Sequence, residues 1–140
     1  MAINFFNQDI HFTLNNKRKV KKWIKDIITS HGYKIDTINY IFCSDPKILE
    51  INIQYLNHNY YTDIITFPLT EEDIISADIF ISVETVKSNA KKFNTNFSDE
   101  LNRVIIHGVL HLLGFNDYTD EEKHTMRANE DKYLHFLESL

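Results

Sequence analysis

The 140 residues hold one cysteine, two prolines and three glycines. Each shortage excludes something. Cys43 alone cannot form an internal disulfide, so no covalent staple supports the fold. With so little proline and glycine there is no linker, and the chain shows neither an internal repeat nor a low-complexity tract. The most apolar stretch, Val104 to Phe115, is too short to cross a bilayer and is interrupted by two histidines. No positively charged, apolar leader opens the chain, which with the unpaired cysteine predicts a cytoplasmic protein rather than a secreted one.

What is present is the composition of a packed protein. Hydrophobic residues make up 43% and aromatic residues 13%, enough for one core, so residues 1–140 are expected to form a single domain. The net charge of -5 is local: residues 98–140 carry nine acids against four bases, while the rest of the chain is balanced. This argues against indiscriminate nucleic-acid binding but leaves room for a basic patch. Lys17, Lys21 and Lys25, with Arg18 and Lys22 beside them, fall on one side of a helix whose other side presents Val20, Trp23, Ile24 and Ile27. Surface helices commonly carry a solvated face of this kind, and the pattern favours that reading over a phosphate-binding surface.

Hydrophobic periodicity predicts an α+β fold: a single small mixed β-sheet packed against helices, with a buried central helix that bears a metal site. Extended segments are expected at Ile3 to Phe6, with a continuation at Ile10 to Thr13, and at Thr37 to Cys43, Thr62 to Phe67 and Ile74 to Ile81. Helices are expected over 17–30, from Asp45-Pro46 to Leu56, from a Ser82 cap to Phe93, from a start at Ser98, and from a Thr119/Glu122 capping box to Leu137.

The most specific signal is the run H-G-V-L-H-L-L-G-F-N-D at 107–117. Residues four apart on a helix share a face, so His107 and His111 can aim two imidazoles at one ion. Gly114 lets the chain leave the helix in a left-handed conformation and turn back, which brings Asp117 within reach as a third ligand. Alternatively, Asp117 is an ordinary turn aspartate, and His124 in the last helix is then the fallback. Three ligands and an open position describe a catalytic site. Zinc, one ion per chain, is the first expectation, although two histidines and a carboxylate also suit another divalent ion such as non-haem iron. The spacing matches metzincin-type metalloproteases, but those need a glutamate directly after the first histidine, and this chain has Gly108.

The same run resembles the signature of the bacterial YbeY endoribonucleases, the rRNA maturation factors. The likeness extends upstream through Leu56-Asn57, T-D-I-I-T-F at 62–67 and A-D-I-F-I-S at 77–82, and covers roughly residues 45–125. The resemblance implies a zinc-dependent, single-strand-directed ribonuclease. Its work would lie in rRNA maturation, including 3′ end processing of small-subunit rRNA, and in ribosome quality control, with rRNA and ribosomal subunits as partners. Two departures stand out. The family usually has a third histidine where this chain has Asp117, so the ion would keep less positive charge and a bound water would be less acidic. The family's arginine after the Leu-Asn pair is missing. Arg103, one turn before His107, is the candidate substrate-binding residue in its place, with a salt-bridging role as the alternative. Tyr60 or Tyr61 could stack unpaired bases, or could serve the core. No general base is legible. A ribosome-associated RNA-binding protein with a structural metal, its fourth ligand His124, is one rival. A peptidase-like metallohydrolase, with Glu84 supplying the missing acid, is another.

Overall fold

β-Branched and aromatic residues dominate four segments of the chain, and these become strands, while the amphipathic runs between and after them become five helices. The computed structural model describes residues 1–60 and 62–140. The order is β1 (Ala2–Asn7), α1 (Lys17–Ser30), β2 (Lys34–Cys43), α2 (Asp45–Leu56), β3 (Ile64–Pro68), β4 (Ile74–Ser82), α3 (Val83–Lys92), α4 (Phe97–Leu112) and α5 (Asp120–Glu138). The α+β class expected from the sequence is what forms.

The sheet has the order β1-β2-β4-β3, with β1, β2 and β4 parallel and β3 antiparallel to β4. Alternation along the two central strands sorts their side chains. Ile38, Tyr40 and Phe42 of β2, with Ile75, Ala77, Ile79 and Ile81 of β4, enter the main core against residues of α1, α4 and α5. The opposite face is covered at one end by α2, whose Ile48 and Ile51 pack with Cys43 and Ile65. Farther along that face the strands carry polar groups instead. Asn4 donates to Asn39 (3.0 Å), which donates to Asp78 (3.1 Å).

Three local expectations are corrected. Ile10 to Thr13 is not a strand. The last backbone hydrogen bond from this part of the chain to β2 is Gln8 N–H to the Phe42 carbonyl (3.0 Å), β2 ends at Cys43, and the segment that follows instead sends Phe12 edge-on against Phe42 (4.8 Å) and Phe97 (5.9 Å). β2 begins at Lys34 rather than Thr37, and its pairing with β4 continues past a register irregularity between Ile35 and Ile38. The cap of α4 is Asn96, whose side chain accepts from the Asp99 N–H, so Ser98 lies inside the helix. The Thr119/Glu122 capping box of α5 and the Ser82 cap of α3 form as expected.

Helix α4 is the buried central helix, with Val104, Ile105, Ile106, Val109 and Leu110 all in the core. Gly108 makes its approach to the sheet possible. A β-carbon there would lie 3.0 Å from Ile64 Cδ1, 3.4 Å from Thr66 Oγ1 and 3.6 Å from Ile79 Cδ1. Helix α5 closes over α4 and α1 with a stripe of Met126, Glu130, Tyr133 and Leu137, and the buried Trp23 indole donates to the Tyr133 carbonyl at 2.9 Å. Replacing Gly108→Val should therefore lower stability by about 1–3 kcal/mol through overpacking against β3 and β4. A thermal melt reads this, and an unchanged midpoint would mean that α4 does not press on the sheet there.

Candidate metal centre

The last turns of α4 bring two imidazoles to one side, as the four-residue spacing requires. Nε2 of His107 and Nε2 of His111 lie 3.0 Å apart. The helix then ends in a glycine-terminated turn: Gly114 has φ 97, its N–H donates to the His111 carbonyl, and the Phe115 N–H donates to the Leu110 carbonyl, both at 3.0 Å. The reversal returns Asp117, whose Oδ2 stands 3.4 Å from His107 Nε2 and 3.6 Å from His111 Nε2. All three donor atoms lie within 4.8 Å of one another, and they form the one such group among the described residues. Ligands at 2.0–2.2 Å around a tetrahedral ion are about 3.3–3.6 Å apart, so the triangle fits a zinc-sized ion with little rearrangement.

Behind the triangle sits a residue that the motif does not contain. Glu130 of α5 is 5% exposed, and its Oε2 accepts from His107 Nδ1 at 2.7 Å while its Oε1 accepts from Arg103 at 2.9 Å. With Nδ1–H committed to Glu130, the Nε2 lone pair of His107 is left free for an ion, the usual way in which a carboxylate orients an imidazole that ligates a metal. Arg103 also donates to Asp131 at 2.6 Å, and Arg127 stands 4.0 Å from Glu130.

The charges are arranged accordingly. Burial works against protonation of His107, but the hydrogen bond that it donates to Glu130 and the negative charge of Glu130, Asp117 and Asp63 outweigh it and hold His107 above the ordinary imidazole value. His111 is held below that value by burial and by the neighbouring His107. Burial would push the Glu130 carboxyl up, yet the hydrogen bonds from His107 and Arg103 hold it low and ionised. Asp63, just before β3, is raised chiefly by burial, with His107 pulling the other way.

The structure thus brings together His107, His111 and Asp117. Arg103 lies elsewhere: its side chain is 18% exposed and engaged by two carboxylates, which is the salt-bridging alternative. It also borders a cavity of about 610 Å³ shared with Arg127 and Asp131, and none of the three ligand candidates lines that cavity. His124 is exposed on α5, outside the ligand group. Glu84 accepts the Asp45 N–H at 2.8 Å and so serves the start of α2. A glutamate in place of Gly108 would run into Ile64, which is a packing reason why the metzincin arrangement is absent here. Tyr60 is exposed and stacked on His58 at 5.1 Å, while Tyr61 lies outside the described residues.

Glu130 and Asp63 are the residues that sequence reasoning missed. A signal for the first was available, since Glu130 interrupts an otherwise apolar stripe of Met126, Tyr133 and Leu137 on α5.

Two outcomes follow. Glu130→Gln should weaken zinc binding about 10–100-fold, measured by competition with a chromophoric chelator, because His107 loses its anionic partner; unchanged affinity would remove Glu130 from the site. Because an imidazolium cannot ligate, zinc affinity of the wild-type protein should fall as pH drops through the raised His107 value, with protons released on binding. Calorimetry in buffers of different ionisation enthalpy reads both, and a pH-independent affinity would contradict ligation by His107.

The chain has counterparts among known proteins. A family model described as Endoribonuclease YbeY matches residues 3–138. The Endoribonuclease YbeY of Parabacteroides distasonis is 50% identical over 137 residues, covering 98% of this chain and 96% of that protein. The Endoribonuclease YbeY of Azobacteroides pseudotrichonymphae is 44% identical over 139 residues, covering 99% and 100%. Among solved structures, the solution structure of TM1509 from Thermotoga maritima is similar with a TM-score of 0.68 at 29% identity, covering 96% of this chain and 88% of that one.

Proposed function

The chain belongs to the YbeY endoribonuclease family, and on that premise we propose that residues 1–140 act as one domain that cleaves single-stranded RNA with a divalent ion held by His107, His111 and Asp117. The observation that carries this reading is a triangle of three donors with no fourth protein donor beside it among the described residues. A closed structural site would need that fourth ligand, and His124 is not there to supply it. Zinc is the ion that the donor set and spacing favour. Held by these three residues, the ion would supply Lewis acidity toward a phosphoryl oxygen or a water.

The remaining chemistry belongs to the protein. Glu130 holds the Nδ1 proton of His107, so this imidazole stays oriented through the reaction. Arg103, expected from the sequence to bind substrate, is better placed to neutralise Glu130 from behind, and its part in the proposal is positioning. Asp63 is a further carboxyl within electrostatic range of His107, and burial raises it, which makes it a candidate to take up a proton in the reaction. The exposed Tyr60 offers a ring to an unpaired base.

The substrate in this reading is rRNA, met on ribosomal subunits during maturation, including 3′ end processing of the small-subunit rRNA, and in quality control. Among the described residues no helix is long and apolar enough to cross a membrane, and the cytoplasm, where ribosomes are, is the proposed location.

The test combines metal content with cleavage. Wild-type protein should carry about one zinc per chain and cut a single-stranded RNA, while His111→Ala and Asp117→Ala should lose the zinc and the cleavage together. RNA cleavage that persists in zinc-free variants would refute the proposal.

A further inference from the structure

Helix α1 is built against the rules that the other helices obey. α3, α4 and α5 each place acids in the first turn, where the helix dipole favours them. α1 has no acid in its first turn and no side-chain cap at Asn16, and it starts Lys17-Arg18-Lys19, with cations at the positive end of the dipole. Lys17, Lys21 and Lys25 then repeat at four-residue spacing, as do Arg18 and Lys22, so like charges stack turn upon turn. These five side chains are exposed. Among the described residues the only ion pair in the group is Lys22 with Asp26 at 2.9 Å. The neighbouring strand β1 has no acid to answer them, and Lys21 instead lies over the Phe5 ring at 5.8 Å.

An ordinary solvated face mixes signs and gains from i,i+4 pairs. This one loses on dipole, cap and spacing alike, and a polyanion relieves all three losses at once. It does so in a chain of net charge -5, in which six of the fifteen basic residues are gathered in this one helix. The helix also ends beside the metal loop: the His31 ring meets Phe115 edge-on at 6.2 Å, two residues before Asp117. From Lys25 to His31 the helix rises about 9 Å, and from Lys17 about 21 Å.

We propose that the exposed face of α1, formed by Lys17, Arg18, Lys21, Lys22 and Lys25, docks the phosphate backbone of the RNA outside the cleavage point. The proposal rests on the reading of the substrate as RNA. The face grips the chain without reading its sequence, since lysines spaced along a helix answer charge and not base edges. A substrate of two nucleotides held at the ligand triangle cannot reach it.

The experiment uses the full-length, zinc-loaded protein and the triple variant Lys17→Gln, Lys21→Gln, Lys25→Gln. Binding of a labelled, unstructured 30-nucleotide RNA is followed by fluorescence anisotropy across salt concentrations, and cleavage of a dinucleotide is measured alongside. Three lost phosphate contacts should flatten the slope of log affinity against log salt by about 2, so that the affinity loss is roughly a hundredfold larger at 0.1 M than at 1 M salt. Dinucleotide cleavage should be unchanged, and the variant should melt no lower than wild type because repulsion within α1 is relieved. An unchanged slope overturns the proposal, as does an equal fall in dinucleotide cleavage. Loss of binding to phosphatidylserine vesicles with RNA binding intact also overturns it, by making the face a membrane surface. If neither protein cleaves any RNA but the slope still flattens, the docking face stands and the nuclease reading fails.

Discussion

Glu130 is a buried carboxylate, and a buried charge must be paired. Left alone it would be neutralised or would unfold the packing around it, and removing one partner of such a pair typically costs about 3–5 kcal/mol. Here the partners lie on the neighbouring helix, Arg103 on one side and His107 on the other. The pairing therefore adds a constraint on the register of α5 against α4 to the apolar contacts of Met126 and Tyr133. With that register set, the short connection from Leu113 to Thr119 has little freedom. The left-handed Gly114 opens it, the capping box closes it, and Asp117 is delivered beside the two imidazoles.

Helix α4 meets two demands that ordinarily conflict. Its middle must be apolar and tightly packed to seat the sheet, and its end must present polar groups to an ion. Gly108 lies at the boundary, pressed toward Ile64 and Ile79, between the two histidines that turn outward. The histidines are consequently only half-buried, with side-chain exposures of 24% and 30%, rather than enclosed in the core. That degree of exposure suits a site that must admit a phosphodiester while Glu130 behind it stays buried.

Much of this was legible in the residues themselves. The helix at 17–30, the Pro46 start of α2, the Ser82 cap and the capping box at Thr119 are local signals, and they formed where local chemistry places them. The His107, His111 and Asp117 grouping was legible as well, since helical spacing and one glycine point to it, although the placement of α5 on α4 completes the turn that delivers Asp117. What could not be read depends on contacts between distant segments. Phe12 looked like part of a strand because only the fold shows that β2 ends before reaching it and that Phe42 and Phe97 offer a pocket instead. Asn96 and Ser98 are both good caps, and the helix starts from Asn96, whose side chain bonds both the Asp99 N–H and the Asp99 carboxylate. Glu130 is 23 residues from its partner His107, and Arg103 was open to two roles until the position of α5 placed two carboxylates against it.

The central claim is that the three donors hold one ion in an open site backed by Glu130. Anomalous diffraction from zinc-loaded crystals, collected on both sides of the zinc edge, tests it most directly. The account predicts one strong peak per chain, bonded to Nε2 of His107, Nε2 of His111 and a carboxylate oxygen of Asp117 at about 2.0–2.2 Å. The fourth position should hold a non-protein oxygen, and His107 Nδ1 should still rest on Glu130. A peak coordinated through Nδ1 of His107, closed by His124 or lying away from this triangle would contradict the account.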